Sequence, residues 1–218
     1  MAVETTGGRV MASGAGWAWL RDGERVIHVA AARGPRGPLT AIVDRVPVSE
    51  PGDAMRLDAA AAQVWRTPPA PAAASPDAVS AACQAIRPHV WNDPRALLLG
   101  TAPIDEVARD VAGRGPGLTP AGDDALAGFV YTRVALAHRE APQARHAAKT
   151  AAAETGEPSA SLLCAAADGE VFAPAARMLA ALLRADGDAL APALRTLTAL
   201  GSTTGRAMLT GIVRALSS

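Results

Sequence analysis

The chain has 218 residues, half of them hydrophobic, with 21 basic and 21 acidic side chains and a formal net charge of 0. That length suits one domain, or a small domain beside a larger one, with apolar surface enough for a sizeable core. Balanced charge implies no polyanion partner, and aromatics at 3 % leave few rings for base stacking, so no nucleic-acid partner is expected. Alanine supplies much of the hydrophobic fraction, which points to close-packed helices, and Lys149 is the only lysine. No apolar run reaches the roughly 20 uninterrupted residues of a membrane span, and no signal peptide is visible. The chain therefore reads as cytoplasmic, with no membrane partner and with Cys83 and Cys164 as free thiols. Neither cysteine stands in a Cys-x-x-Cys pair or close in sequence to a histidine, so no metal site is expected there. Cys164, inside Leu162-Leu163-Cys164-Ala165, reads as a buried small hydrophobe.

In chain order, residues 1–66 form a β-rich module. Trp17–Leu20 and Val26–Val29 flank an Asp22-Gly23 hairpin signal. Leu39–Val46 is a third strand candidate, ended by Pro47, and Pro51-Gly52-Asp53 turns into a fourth at Ala54–Asp58. Short strands separated by turns predict a small barrel or a sandwich-like module. His28 falls mid-strand and reads as part of a sheet face. Residues 67–76, Thr-Pro-Pro-Ala-Pro-Ala-Ala-Ala-Ser-Pro, are a Pro/Ala linker. From 77 to 218 the periodicity is helical, with helices expected near 76–87, 103–112, 120–139, 143–153, 159–168, 172–185, 188–200 and 204–216. The fold class is α+β: a small N-terminal β-barrel or sandwich-like module followed by an all-α helical domain.

The helical region carries the most informative segment. Residues 113–124 read Gly-Arg-Gly-Pro-Gly-Leu-Thr-Pro-Ala-Gly-Asp-Asp. Thr119 is placed to cap a helix and Pro120 to occupy its first position. Four glycines in ten residues exceed what a plain cap needs, so backbone must approach something closely here. Two similar helix starts follow. Thr155-Gly156-Glu157-Pro158-Ser159-Ala160-Ser161 precedes one apolar helix, and Gly201-Ser202-Thr203-Thr204-Gly205 precedes another. A helix N-terminus offers unsatisfied N–H donors and about half a positive charge. If the three converge, they make a pocket for a small anion that needs no lysine. Each of the later two, taken alone, is equally an ordinary cap.

The candidate substrate-binding set is Arg114, Gly115, Gly117, Leu118, Thr119, Gly122, Ser159, Ser161, Thr203, Thr204 and Arg206. Arg114 sits within the glycine loop, where a guanidinium meets a carboxylate or phosphate. Arg206 opposes the dipole in the first turn of the last helix unless an anion is near. Asp123 and Asp124 are the candidate catalytic residues. Adjacent helical positions point about 100° apart, so one carboxylate is expected to hold the loop, Asp123 for preference. The other would orient an amide or a metal; equally, both could simply favour the helix dipole. The segment is not a Walker loop, because no Gly-Lys-Ser/Thr follows. Nor is it a dinucleotide fingerprint, since no βαβ unit surrounds it. No Gly-x-Ser-x-Gly elbow is present, and no covalent nucleophile is proposed.

The run Gly-Pro-Gly-Leu-Thr-Pro-Ala-Gly-Asp-Asp resembles the signature of a bacterial family of unknown function that includes the AllH-type subunit of oxamate carbamoyltransferase, an enzyme of anaerobic allantoin and purine breakdown. Residues 117–124, Ser159-Ala160 with Ala166-Ala167-Asp168-Gly169, and Gly201–Gly205 look like the family's motifs in their order. Leu57-Asp58 through Trp65 is similar to the end of its N-terminal part. Ala121 and Thr204 each replace the usual serine, which puts a role for the hydroxyl at 121 in doubt. The resemblance implies carbamoyl transfer between carbamoyl phosphate and oxamate by an assembly of unlike protein subunits. It does not place the chemistry in this subunit. Two rivals stand beside it: a non-catalytic scaffold whose glycine loop packs on a partner, and a stand-alone enzyme using a nucleotide or metal through the Asp pair. No cofactor follows from the residues.

Overall fold

The computed structural model describes residues 6–23, 25–58 and 65–218, so most of the segment Leu57–Trp65 compared above lies outside the described residues. The chain divides into two compact units, Met1–Arg66 and Thr67–Ser218. The architecture is α+β.

The first unit is a single curled sheet of five strands, a half-barrel. The strands are β1 (Thr6–Gly14), β2 (Trp17–Asp22), β3 (Arg25–Ala31), β4 (Thr40–Val43) and β5 (Ala54–Leu57), in the order β4-β3-β2-β1-β5. All pairs are antiparallel except β3 with β4. Period-two alternation sends Ala18, Leu20 and Val29 to one face, where they pack with Val10, Val46, Met55 and Leu57. On the opposite face Trp19 and His28 are cross-strand partners, their ring centroids 4.8 Å apart. Burial pushes the His28 imidazole down to about 4. Strand β1 is absent from the sequence-based expectations, because its Gly7-Gly8 start has poor strand propensity. Those glycines serve close pairing: a Cβ on Gly8 would lie 2.3 Å from the Arg21 carbonyl oxygen. The third expected strand is shorter than 39–46, since Leu39 takes a left-handed φ of 59° and pairing begins at Thr40.

The second unit holds α1 (Pro76–Ile86), α2 (Ile104–Val111), α3 (Ala121–Ala135), α4 (Ala141–Ala152), α5 (Glu157–Ala167), α6 (Ala173–Arg184), α7 (Gly187–Thr198) and α8 (Thr204–Leu216). Two short 3-10 turns, Arg87–His89 and Ala96–Leu98, join α1 to α2. Before α1 the chain lies against this unit. The Thr67 hydroxyl bridges the backbone of Val171, its N–H donates to Glu170, and the Ala74 N–H donates to the Leu183 carbonyl. Pro142 and Pro158 fall inside the first turns of α4 and α5, which start two residues before the periodicity alone predicts. Helix α3 ends at Ala135 rather than 139, because Ala137 turns left-handed with φ 48°.

Helix α3 is the axis of this unit. It is apolar almost all round and buried at every residue from Ala121 to Arg133, with α2, α4, α5 and α8 against it. Its contact with α8 is backbone on backbone. A Cβ on Gly211 would lie 2.0 Å from the Ala125 carbonyl oxygen, and one on Gly128 would lie 2.3 Å from that of Met208. Glycine on both helices lets their axes approach more closely than any side chain allows. Cys164 corrects an expectation: it is exposed. The buried residues of α5 are Pro158, Ser159, Leu162, Leu163, Ala166 and Ala167, and position 164 falls between the members of that stripe. Cys83 is buried, and burial pushes its thiol up to about 11. Among the described residues no helix is long and apolar enough to cross a membrane.

Candidate functional site

The glycine loop joins the end of α2 to the start of α3. It doubles back on itself, so that the Gly122 N–H donates to the Arg114 carbonyl at 3.0 Å. A Cβ on Gly122 would lie 2.0 Å from the Val111 carbonyl oxygen. Gly115 adopts φ 117°, with the α3 backbone at Ala121 beside it. Gly117 adopts φ 94° but faces open space, with no atom near an added Cβ. Two glycines of the loop therefore permit close backbone packing, while Gly117 shapes its outer crest. Residues 113–118 are exposed, and Leu118 presents an apolar side chain to the surface.

Thr119 does not cap α3. The N-cap position is Pro120, and no side chain takes up the first-turn N–H groups there. The Thr119 hydroxyl instead lies 3.3 Å from the Thr204 hydroxyl, on the first residue of α8. Asp123 closes the loop. One of its oxygens accepts the Gly113 N–H at 2.8 Å and the other accepts the Thr155 hydroxyl at 2.6 Å. A carboxylate with two donors is well satisfied even when buried. Thr155 belongs to the turn before α5, so this pair of bonds ties the first loop to the second. The Thr119–Thr204 contact ties the first to the third. The three helix starts meet around the first turn of α3.

Asp124 lies within that meeting point and is 2 % exposed. The Thr204 side chain hydrogen-bonds to it from α8, which lowers its pKa. Two effects act the other way. Burial, the largest, and the neighbouring Asp123 charge together hold the carboxyl well above the usual carboxylate range. Its Oδ2 is buried without a hydrogen-bond partner. Ser159 Oγ, in the first turn of α5, is likewise buried and unpartnered. An unsatisfied buried polar group costs about 1–3 kcal/mol, so two at neighbouring helix starts carry a burden that packing alone does not explain. A third, Arg133 Nε, lies near the opposite end of α3, where the same guanidinium is held by Ser218 and Glu140.

The remaining sequence candidates divide. Arg114 is exposed at the loop. Ser161 is half-buried on α5. Thr203 is the N-cap residue of α8, but its hydroxyl makes no capping bond. Arg206 is exposed and its Nε donates to the His89 carbonyl at 3.2 Å, which gives it a role in docking the segment after α1. Thr155 is a site residue that the sequence-derived candidate set lacks. Its place beside a glycine just before a helix is the available signal. Among the described residues no group of three or more His, Cys, Asp and Glu stands together to hold a metal. A groove of about 580 Å³ lies elsewhere, on the sheet unit beside Arg9, Arg21 and Arg56. It is shallow, and Arg9 is already bonded to the Gly52 carbonyl.

Compared with known proteins, residues 111–216 match the family described as oxamate carbamoyltransferase subunit AllH. The match opens on the last residue of α2 and closes on the last of α8, so it takes in all three helix starts. No curated protein and no solved structure matches the chain.

Proposed function

We propose that this chain, whose residues 111–216 match the family of oxamate carbamoyltransferase subunit AllH, contributes to such an enzyme a site for a small anion at the N-termini of α3, α5 and α8. As a subunit it works with other protein chains, which complete the reaction centre. The substrates of a carbamoyl transfer to oxamate, carbamoyl phosphate and oxamate itself, are small anions of the kind helix N-termini accept.

The observation that carries this reading is the pair of side-chain bridges, Asp123 to Thr155 and Thr119 to Thr204, which join the three helix starts. Each of these helices lacks a side-chain cap, so first-turn N–H groups remain free of side-chain acceptors. In the proposal the exposed backbone of Gly115, Gly117 and Leu118 supplies N–H donors from above, and the Thr119 and Thr204 hydroxyls supply more. Arg114 is near enough in sequence to close over the anion as a guanidinium lid. Such donors, aimed at the oxygen that gains charge during acyl-type transfer, also lower the barrier. Asp123 holds the loop and does not touch the ligand.

Calorimetry tests this with carbamoyl phosphate, oxamate and a magnesium nucleotide, on the chain alone and with its partner subunits. One of the two small anions is expected to bind. Gly117→Val, which places a side chain on the open crest, is expected to weaken it at least tenfold with an unchanged helical circular-dichroism signal. A chain that binds none of the three in either setting, yet captures its partners, would establish the scaffold reading instead, with Leu118 as its exposed contact. Binding of the nucleotide alone would establish the stand-alone reading.

A further inference from the structure

Resting on the anion site just proposed, we infer that Asp124 Oδ2 and Ser159 Oγ together hold the carboxamide group of the ligand, an amino nitrogen and an oxygen on one carbonyl carbon, while the helix N-termini hold its anionic end. Ser159 is then a specificity-determining residue that selects an amide-bearing anion over one of the same shape without the amide, and Asp124 a binding residue for the carbonyl beside that nitrogen.

The chemistry of the two groups leads to this ligand class. Both sit in the first turn of a helix whose start joins the three-loop cluster, and both are at least 98 % buried. Both are without a hydrogen-bond partner, whereas the Asp123 carboxylate next to them in the chain has both oxygens engaged. A simple inorganic anion offers only acceptors. It could accept hydrogen bonds from the Ser159 hydroxyl and from a neutral Asp124, but it has no donor to give back, so the acceptor oxygens of both residues would stay unmet. A carboxamide offers one polar hydrogen-bearing nitrogen and one carbonyl oxygen, side by side in a plane. Those two meet the needs of a serine hydroxyl, which both donates and accepts, and of a carboxyl group, which accepts when ionised and also donates when neutral. Near an anion the neutral carboxyl is the favoured form, in line with the effect of burial and of Asp123 on this residue. Its O–H then donates to the ligand carbonyl, and the ligand N–H donates to Ser159. Both partners in carbamoyl transfer to oxamate carry this carboxamide group.

The test compares oxamate with pyruvate, which has the same charge and shape but a methyl group in place of the amino group. Calorimetry is run on the chain together with its partner subunits, for the wild type, Ser159→Ala and Asp124→Leu. The expected result is at least tenfold tighter binding of oxamate by the wild type. Ser159→Ala is expected to lose most of that preference while holding pyruvate within about threefold of wild type, and Asp124→Leu, which removes the donor to a carbonyl that both compounds carry, to weaken both alike. Ser159→Ala removes an unbonded hydroxyl, so its melting temperature should stay the same or rise, which separates ligand reading from a structural role. Equal affinity for oxamate and pyruvate in the wild type, or a preference untouched in Ser159→Ala, would overturn the amide assignment and leave the anion site standing. If neither compound binds the wild type, the anion site fails as well.

Discussion

The two units of this chain solve the same packing problem in different ways. The sheet unit buries one face around Ala18, Leu20 and Val29, and on the other face the Trp19 ring lies against His28. The helical unit presses backbone against backbone at Gly122, Gly128, Gly205 and Gly211, and brings three helix starts together around two adjacent carboxyls. All three of the unpartnered buried side-chain atoms among the described residues belong to the helical unit, two of them in first turns. Natural folds keep a buried orphan where something other than folding requires it. The difference teaches where to look for function, and the family match falls on the same unit.

Breaking the glycine contacts should have the largest effect. Gly211→Val would drive its side chain into the Ala125 carbonyl and the Phe129 N–H, neither of which can yield without moving α3. The expected cost is about 3 kcal/mol or more, the upper part of the range for overpacking, read as a lower urea midpoint for the helical circular-dichroism signal. The matching change in the sheet unit, Gly23→Ala, meets no neighbour and strains only its φ of 59°. It should cost about 1 kcal/mol. Similar losses for the two variants would remove the distinction between the units.

Asp123→Ala should come next. It strands the Gly113 N–H and the Thr155 hydroxyl at once, and it releases the loop from the turn before α5. About 2–3 kcal/mol is expected, in line with loss of hydrogen bonds to a charged acceptor. Faster amide hydrogen exchange is expected at residues 113–118. Protection factors there that match wild type would show that Asp123 does not hold the loop.

Helix number, type and approximate limits are legible in the sequence because apolar residues recur at helical spacing from Val79 to Leu216. The residues of the site are legible for a different reason: Gly, Ser, Thr and Asp cluster just ahead of helices. What they do there is not. Thr119 reads as a cap, yet its hydroxyl turns to Thr204, a partner 85 positions away. Thr155 and Asp123 form the shortest link in the cluster across 32 positions, and no local pattern pairs them. Asp123 and Asp124 are equally buried, and what sets them apart is the donors that Gly113 and Thr155 bring to Asp123, which a first-turn Asp-Asp motif cannot report. Strand β1 is hidden because the glycines that let it pair closely are the same residues that weaken a strand signal.

Asp124 gives the third way to sharpen the contrast. Its pKa is raised in the folded protein, chiefly by burial. Its contribution is therefore fully present at and below the ordinary carboxylate range and is lost as pH rises toward the raised value. Asp124→Asn, which cannot ionise, should flatten that decline in the helical unit and leave it more stable than wild type at pH 7 to 8. Urea midpoints across pH 4 to 8 measure it, and parallel curves for the two proteins would refute it.

The smallest effect expected is the opposite trend in the sheet unit. Burial lowers the His28 pKa from 6.5 to about 4. A histidine kept neutral in this way contributes stability that is present above pH 6.5 and is lost as pH falls toward about 4. His28 is only half-buried at the surface of the sheet, so solvent screening reduces the gain, and a modest slope is expected. Trp19 reports the event, since its ring lies against the imidazole that gains the proton. Acidification should lower the midpoint of the tryptophan fluorescence transition while the Asp124 contribution to the helical transition improves. His28→Gln should remove the acid slope from the first without altering the second. An acid slope that persists in His28→Gln would assign it to another group, and a change in both transitions would mean that the two units do not unfold independently.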